Sequence, residues 1–281
     1  MQRRQFAALA LFAVLAAGLR AEPPPGEEVP YIRTPQVVVN KMLDLAEVGP
    51  DDFLIDLGSG DGRIVITAAQ ERGARGFGVE LNTTLVDSSN EAARKAGVAE
   101  RARFFARDLF ETDIGQASVL SMYLLPEVNL QLRPRILARL KPGTRVVSHD
   151  WDMGEWQPDA KAVLKGLAKP VMPVSASTVY LWIVPAKVAG VWEVRLEAAT
   201  PEAMQIEFAQ RFQEISGLAR RSNGRTMLQS AYLRGAEIRF AIIDETRRPS
   251  EPLQFFGRVY GDTMEGSMGN GRRWLAKRKS G

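Results

Sequence analysis

The sequence of 281 residues predicts a doubly wound, Rossmann-like α/β sheet followed by a small antiparallel β-barrel or sandwich module. Buried-strand runs alternate with helical patterns up to residue 185, which is typical of sheets whose strands are joined by helices. Short alternating segments separated by turn residues follow, which indicates an antiparallel meander. We therefore predict a larger domain at 31–185 and a β module at 186–281.

Each element of the larger domain is predicted from a local pattern. Thr34 and Pro35 suit the N-cap and the first position of a helix that ends before Gly49. Apolar runs predict buried strands at 53–57, 76–80, 103–106, 118–123, 144–148 and 179–184. Amphipathic patterns predict further helices at 63–72, 85–96 and 130–140. The β module shows period-two alternation at 190–196, 204–208 and 237–242.

The first thirty residues predict targeting and linkage rather than fold. Residues 1–21 are typical of a signal peptide, with Arg3 and Arg4 before an apolar stretch that is short for a membrane span. Residues 22–30 form a Pro-rich linker. The start also fits a twin-arginine signal, so the Sec and twin-arginine routes both stay open. We expect an exported protein, periplasmic or membrane-associated, with an uncleaved anchor as the alternative.

The formal net charge of +4 is concentrated at the two ends of the sequence. Arg3, Arg4 and Arg20 lie in the predicted signal, and basic residues cluster at 272–279, so the remainder is near neutral. Nucleic-acid-binding domains usually have a basic face, and we therefore expect no nucleic-acid partner. The basic C-terminal tail offers a contact with a membrane surface or an acidic partner.

A glycine-rich turn after the first predicted strand is the strongest functional signal. Gly58, Gly60 and Gly62 occupy alternate positions, with Asp56 before them and Asp61 between them. Glycines let the backbone turn tightly and approach a ligand closely, because no side chain intervenes. The turn therefore predicts a nucleotide-like ligand at the edge of a parallel sheet.

Glu80 ends the second predicted strand, where a carboxylate can accept hydrogen bonds from both hydroxyls of a ribose. A dinucleotide would place its pyrophosphate beside Asp56 and Asp61, and the two acids would repel it. They suit a ligand that carries an ammonium and a sulfonium. A glycine-rich turn without any ligand is the alternative.

The glycine turn together with Glu80 resembles motif I and the following acidic position of the class I S-adenosylmethionine-dependent methyltransferases. The resemblance covers about residues 31–155 and implies a Rossmann-like methyltransferase domain with S-adenosyl-L-methionine as its cofactor. It also implies that Asp108 meets the adenine amino group, with Leu109 beside the ring. Tyr31 and Thr34 lie in the leading segment that often folds over the cofactor in this family. The cofactor-binding residues so implied are Tyr31, Thr34, Asp56, Gly58, Gly60, Asp61, Gly62, Glu80, Asp108 and Leu109.

The methyl acceptor is expected over the ends of the fourth and fifth strands. The catalytic candidates there are Tyr123, Glu127, His149 and Asp150, because acids and aromatic rings can hold an ammonium and an acid or a histidine can take its proton. For His149, a hydrogen-bonded strand-end role is equally open. Strand 4 lacks the Asn-Pro-Pro-Tyr signature of amino methylation on DNA bases and glutamine. The absence of cysteine excludes 5-methylcytosine chemistry, disulfides and Cys-ligated zinc, and we expect no metal site.

Segments 30–34, 56–63 and 123–129 resemble bacterial relatives of the seven-strand protein-lysine methyltransferases that modify mitochondrial membrane carriers and the c-ring of the ATP synthase. That resemblance implies a protein lysine, or another amine, as the acceptor. The predicted export signal and the β module depart from the family. We therefore keep a second hypothesis, an exported binding protein that retains the fold without turnover and uses its β module for a partner.

Overall fold

The computed structural model describes residues 32–166, 176–197, 202–222, 224–243 and 252–279. The predicted signal peptide, the linker and Tyr31 lie outside the described residues. The elements of the larger domain are α1 Gln36–Leu45, β1 Phe53–Leu57, α2 Arg63–Arg72, β2 Arg75–Glu80, α3 Thr83–Lys95, β3 Ala102–Ala106, β4 Val119–Met122, α4 Pro126–Arg139, β5 Arg145–His149, β6 Ala160–Lys165 and β7 Ala176–Ile183.

These strands form one mixed sheet in the order β3-β2-β1-β4-β5-β7-β6. The first five strands pair in parallel, and β7 runs antiparallel to both β5 and β6. Leu54 of β1 packs with α1 and α2 on one face, whereas Ile55 packs with α4 on the other. The predicted doubly wound sheet is confirmed, and the chain reverses its strand order between β1 and β4, where such sheets bind ligands.

The structure differs from the local predictions at the start of α1 and at one edge of the sheet. The N-cap of α1 is Pro35, which has no side-chain cap, so the prediction that Thr34 caps the helix is wrong. The hydroxyl of Thr34 lies instead 3.4 Å from Nδ1 of His149. The edge strand β6 was not predicted, because its alternation of lysines with small and apolar residues is typical of an exposed edge rather than a buried run.

The β module is built from strands that pair antiparallel throughout. They are β8 Gly190–Leu196, β9 Glu202–Arg211, β10 Glu214–Arg221, β11 Gly224–Met227, β12 Gln229–Arg234, β13 Glu237–Ile243, β14 Pro252–Tyr260, β15 Thr263–Met268 and β16 Arg273–Arg278. Their order is β11-β10-β9-β8-β16-β15-β14-β13-β12, a nearly closed, barrel-like sheet. Trp192, Phe255 and Trp274 are fully buried inside it. The predicted antiparallel module is confirmed in the barrel-like form.

The basic residues at the C-terminal end of the sequence belong largely to this sheet. Arg273–Arg278 form β16, between β15 and β8, with Trp274 and Ala276 pointing into the core. Arg278 lies over the ring of Trp192 at 4.3 Å and donates from Nε to Asp262 at 2.8 Å. The period-two alternation of this segment, rather than its charge, therefore determines that it forms a strand. Within the described part of the chain, no helix combines the length and apolar character needed to span a membrane.

Candidate active site

The glycine turn is folded against the end of β2 by backbone hydrogen bonds. The amides of Gly58 and Ser59 donate to the carbonyl of Val79 at 3.0 and 2.9 Å. Gly58 has a φ of 73°, and a Cβ there would lie 2.7 Å from Cδ2 of Leu124. Any side chain at this position would be both strained and obstructed, so the glycine is needed for the close approach of the β4–α4 connection.

Glu80 ties the turn to the start of α3. Its Oε2 accepts from the amide of Gly60 at 3.1 Å, and its Oε1 accepts from the amides of Leu81 and Asn82 at 2.9 and 3.1 Å. A carboxylate offers about four acceptor positions, so it can still accept a hydrogen bond from a ligand hydroxyl. Glu80 thus fixes the loop on which a ribose would lie and can contact that ribose as well.

Asp56 is a buried acid beneath the turn. It is 1% exposed and accepts a hydrogen bond from the hydroxyl of Ser121 at 2.7 Å. Burial raises the pKa of Asp56 to about 7, and the negative charges of Glu80 and Asp61 add to this, while the Ser121 hydrogen bond opposes it. A positively charged ligand group beside the turn would therefore favour the ionised form of Asp56.

Asp61 connects the glycine turn to the leading segment. Nε of Arg63 donates to Asp61 Oδ1 at 2.8 Å, and Nη2 of Arg63 lies 2.5 Å from Asp61 Oδ2. Nη1 of Arg63 also donates to the carbonyl of Thr34 at 2.8 Å. The segment at Thr34 is therefore held over the turn, and Asp61 contributes through Arg63.

Asp108 and Leu109 follow β3 at the same edge of the sheet. Asp108 is exposed, and its Oδ1 accepts from the amide of Phe110 at 2.7 Å. Leu109 is partly buried against the core on the α4 side, and its carbonyl accepts from Nη1 of Arg135 at 3.0 Å. The backbone at both positions is anchored, and the exposed carboxylate of Asp108 can accept from a ligand through its second oxygen. Their contacts with adenine stay a prediction.

Tyr123, His149 and Asp150 are brought together at the ends of β4 and β5. The rings of Tyr123 and His149 lie 4.0 Å apart between centroids, and Nε2 of His149 lies 3.3 Å from Oδ2 of Asp150. His149 is 1% exposed and also lies 3.0 Å from the hydroxyl of Ser177 through Nε2. Glu127 is exposed in the first turn of α4 and is not part of this cluster. Its catalytic role stays a prediction without a supporting contact.

Asp150 is held in an unusual backbone conformation. Its φ is 63°, a left-handed value that is uncommon for residues other than glycine. Its amide donates to the carbonyl of Thr178 at 2.7 Å, and its Oδ1 accepts from the amide of Thr178 at 2.9 Å. Strain of this kind persists where the surrounding contacts impose it, often at functional sites.

Asp150 influences the pKa values of two tyrosines. Burial first, and then the charge of Asp150, raise the pKa of Tyr123. Burial first, then Asp152 and to a smaller extent Asp150, raise the pKa of Tyr180, against a hydrogen bond from Thr178. Both phenols therefore stay protonated at neutral pH and are available as neutral hydrogen-bonding groups.

The sequence patterns did not indicate several residues of this site. Ser121, Ser177 and Tyr180 lie within strands and looked like ordinary strand residues, and Arg63 looked like the solvated start of a helix. The contact of Ser121 with Asp56 could have been predicted, because the parallel pairing of β1 with β4 places the two residues opposite each other. Ser177 and Tyr180 belong to an antiparallel strand whose pairing with β5 has no local signal.

The arrangement on the cofactor side fits S-adenosylmethionine. The glycine turn allows close approach of the backbone, Glu80 has acceptor capacity for a ribose, and Asp56 is an acid that a positive ligand group would ionise. The methyltransferase chemistry predicted from motif I therefore has the groups it needs at one edge of the sheet.

Comparison with known proteins agrees with this geometry. The family model of the ANTKMT methyltransferase domain matches residues 56–160. A protein-lysine N-methyltransferase of Saccharolobus islandicus is 45% identical over 138 residues, which cover 49% of this chain and 84% of that protein. The adenine nucleotide translocase lysine N-methyltransferase of Mus musculus is 35% identical over 133 residues, which cover 47% of this chain and only 58% of that protein.

A solved structure shows the same relationship. The RNA methyltransferase from Salinibacter ruber, in complex with S-adenosyl-L-homocysteine, is 49% identical, with a TM-score of 0.52, over 56% of this chain and 96% of that one. Two proteins that are matched over most of their own length are thus 45% and 49% identical to this chain. It belongs to the class I S-adenosylmethionine-dependent methyltransferases and uses S-adenosylmethionine as its cofactor.

Proposed function

We propose that this methyltransferase is exported and transfers a methyl group to an amine, with the ε-amino group of a protein lysine as the acceptor. The relatives from Saccharolobus islandicus and Mus musculus are both named as lysine methyltransferases. The observation that carries the proposal is the cluster of Asp150 with Tyr123 and His149 at the strand ends where an acceptor would sit.

This cluster suits an ammonium that must become an amine. A carboxylate and the face of a tyrosine ring attract a lysine ammonium, and a desolvated position increases that attraction. The lysine then has to lose one proton before its nitrogen can form a bond to carbon. Asp150 accepts that proton, with Nε2 of His149 3.3 Å from its carboxylate, while Tyr123 stays neutral and orients the nitrogen.

S-adenosylmethionine supplies the methyl electrophile when it is bound. The nitrogen lone pair forms the new N–C bond as the S–C bond breaks, and the electron pair of that bond remains on sulfur. The protein holds the two reactants in line, which is the larger part of catalysis in such a transfer. The segment from Asp56 to Glu80 would form the cofactor side of the reaction site, and the strand ends at Tyr123 and Asp150 would form the acceptor side.

RNA is the second acceptor class, because the Salinibacter ruber relative is named as an RNA methyltransferase. The electrostatics of the described site disfavour it. Asp150 and Asp152 lie on the acceptor side, and their carboxylates would repel a phosphate backbone. A lysine, in contrast, gains from the same charges.

The acceptor class can be tested with labelled cofactor. Purified protein is incubated with S-adenosylmethionine that carries a tritiated methyl group and with a cell extract, and label is counted separately in protein and in RNA. We expect label in protein, recovered as methyllysine after acid hydrolysis, and little transfer by Asp150→Asn. Label in RNA alone, or an unchanged rate in Asp150→Asn, would contradict the proposal.

Export rests on the pattern of residues 1–21 and has its own test. The full chain is expressed with a C-terminal tag, and the periplasmic and cytoplasmic fractions are compared for the wild type and for the double substitution of Arg3 and Arg4 by lysine. Export by the twin-arginine route predicts cytoplasmic retention of the double variant. Periplasmic recovery of both points to the Sec route, and cytoplasmic recovery of both contradicts export.

A further inference from the structure

The hairpin between β9 and β10 reaches from the β module to the methyltransferase sheet. Phe212, at its tip, stacks on Trp156 with ring centroids 6.2 Å apart and an interplanar angle of 17°. Gln213 donates from Nε2 to the carbonyl of Gln157 at 2.7 Å, and Arg211 forms an ion pair with Glu155 at 2.9 Å. Three successive residues of the hairpin therefore contact one loop of the methyltransferase domain.

That loop, residues 151–159, is here called the acceptor loop because it begins directly after Asp150. Its other side is held by α4. Nδ2 of Asn129 donates to the carbonyls of Trp151 and Asp152 at 3.2 and 3.4 Å. Nη1 of Arg133 donates to the carbonyl of Met153 at 2.7 Å, and the same guanidinium lies 5.5 Å from the ring centroid of Phe212. The loop thus lies between α4 and the hairpin.

The centre of this contact is fully buried. Trp156 is 0% exposed and packs against Trp182 of β7 at 6.0 Å as well as against Phe212. Nε1 of Trp182 donates to the carbonyl of Trp156 at 2.7 Å. Displacement of Phe212 would open one face of Trp156 and weaken the anchoring of the loop on the side of the β module.

Phe212 has a backbone conformation that disfavours phenylalanine, which indicates that the contacts of its ring hold it in place. Phe212 and Gln213 form a two-residue loop between paired Arg211 and Glu214, and Phe212 has a φ of 56°. Such loops normally place glycine, asparagine or aspartate where φ is positive. A bulky aromatic residue in this conformation is an outlier that persists when its surroundings impose it.

We propose that Phe212 is a positioning residue for methyl transfer, which fixes the acceptor loop through Trp156 and so sets the place of Trp151 and Asp152 beside Asp150. The inference rests on the proposed function, in which the acceptor binds at Asp150. It assigns the β module a part in the reaction: the module shapes the acceptor side and leaves the cofactor side alone.

The substitution Phe212→Gly tests this most cleanly. Glycine favours the positive φ of the turn, so the hairpin should form at least as readily while the ring is removed. Phe212→Tyr keeps the ring and should behave as the wild type. Tyr260→Ala is the matched control, because it removes an exposed aromatic residue near another turn of the module, between β14 and β15.

Two measurements are made on each full-length variant. Hydrogen–deuterium exchange followed by mass spectrometry reports the loop, and methyl transfer to extract protein at increasing extract concentration reports the half-saturating amount and the maximal rate. For Phe212→Gly we expect about tenfold faster exchange at 151–157 and about a tenfold higher half-saturating amount. Exchange in β1 and β2 and the dissociation constant of S-adenosylmethionine should change less than twofold.

Unchanged exchange at 151–157 in Phe212→Gly would overturn the proposal, as would faster exchange with unchanged transfer. Should exchange rise across the whole protein, the milder Phe212→Leu decides, with about threefold faster exchange in the loop alone as the expected result and no change as the contrary one. If the wild type transfers no label to protein, the proposed function has failed. The exchange data still show whether Phe212 holds the loop, and transfer of the labelled methyl group is then followed into RNA.

Discussion

The cofactor side and the acceptor side of this methyltransferase are built in different ways. The cofactor side is nearly continuous in sequence, since Asp56, the three glycines and Glu80 lie on two adjacent strands and their turns. The acceptor side is assembled from Tyr123, Asp150 and Ser177, which come from the ends of β4 and β5 and from β7. One local segment is enough to build the cofactor side, whereas the acceptor side depends on side chains that distant elements bring together.

Asp150→Asn should produce the largest effect and should separate the two sides. The amide cannot take the acceptor proton, and loss of a positioned base commonly slows a reaction by about 100-fold or more. The rate of methyl transfer is measured together with the dissociation constant of S-adenosylmethionine. Slow transfer with unchanged cofactor binding supports the division, and equal loss of both would show that the two sides are not separate.

Glu80→Ala should have the converse effect. It removes the acceptor for the amides of Gly60, Leu81 and Asn82 and the predicted acceptor for the ribose hydroxyls. We expect about 100-fold weaker binding of S-adenosylmethionine, or about 2.7 kcal/mol. The thermal shift caused by saturating cofactor provides the measurement, and Glu127→Gln, at an exposed acid of α4, is the control that should behave as the wild type.

The raised pKa of Asp56 predicts that the free energy of unfolding depends on pH through a group on the cofactor side. Its pKa of about 7 in the folded protein lies above its value in the unfolded chain, so the folded state binds the proton more tightly. The stability that this proton contributes is complete below about pH 4 and is lost as the pH rises through 7. It amounts to up to about 4 kcal/mol from the shift in pKa. Denaturant unfolding of the cofactor-free protein at pH 5 and pH 8 measures it.

Asp56→Asn should remove that slope, because the amide has no proton to lose. The same substitution should make the affinity for S-adenosylmethionine independent of pH between 6 and 8, whereas the wild type binds more tightly as Asp56 ionises. An identical stability slope in Asp56→Asn and the wild type would show that another group is responsible.

Arg63→Met should have the smallest of these effects. Arg63 lies where the cofactor side and the acceptor side meet. The substitution removes the pair with Asp61 and the hydrogen bond to the carbonyl of Thr34. The pair is partly exposed, so we expect about a fivefold loss in affinity for S-adenosylmethionine, near 1 kcal/mol. Arg72→Met, which breaks a pair with Asp44 farther along the same helix, should leave that affinity unchanged.

The fold was predictable where periodicity is local. The bounds of β1 and α2 agree with the predicted ones, and the antiparallel character of the β module follows from its alternation. The start of α4 at Pro126 was placed too late, although proline suits a first helical position. The strand β16 was hidden by its charges, because the two inward residues, Trp274 and Ala276, are outnumbered by basic and exposed ones.

The arrangement of side chains around the glycine turn was predictable from the sequence, and the arrangement at the ends of β4 and β5 only in outline. Glu80 and Asp56 are indicated by their distance from the glycines along the chain. The approach of Thr34 to His149, and of Phe212 to Trp156, depends on how distant elements pack, and no pattern within a segment encodes it. Phe212 carries one signal in retrospect, an aromatic residue at a hairpin tip where glycine or asparagine is usual.

Calorimetric titration of S-adenosylmethionine into the full-length wild type, Glu80→Ala and Asp150→Asn tests the division between the two sides most directly. We expect saturable binding to the wild type, the same affinity in Asp150→Asn, and binding about 100-fold weaker in Glu80→Ala. No binding to the wild type, wild-type affinity in Glu80→Ala, or an equal loss of affinity in both variants would contradict a cofactor site built by the glycine turn and Glu80.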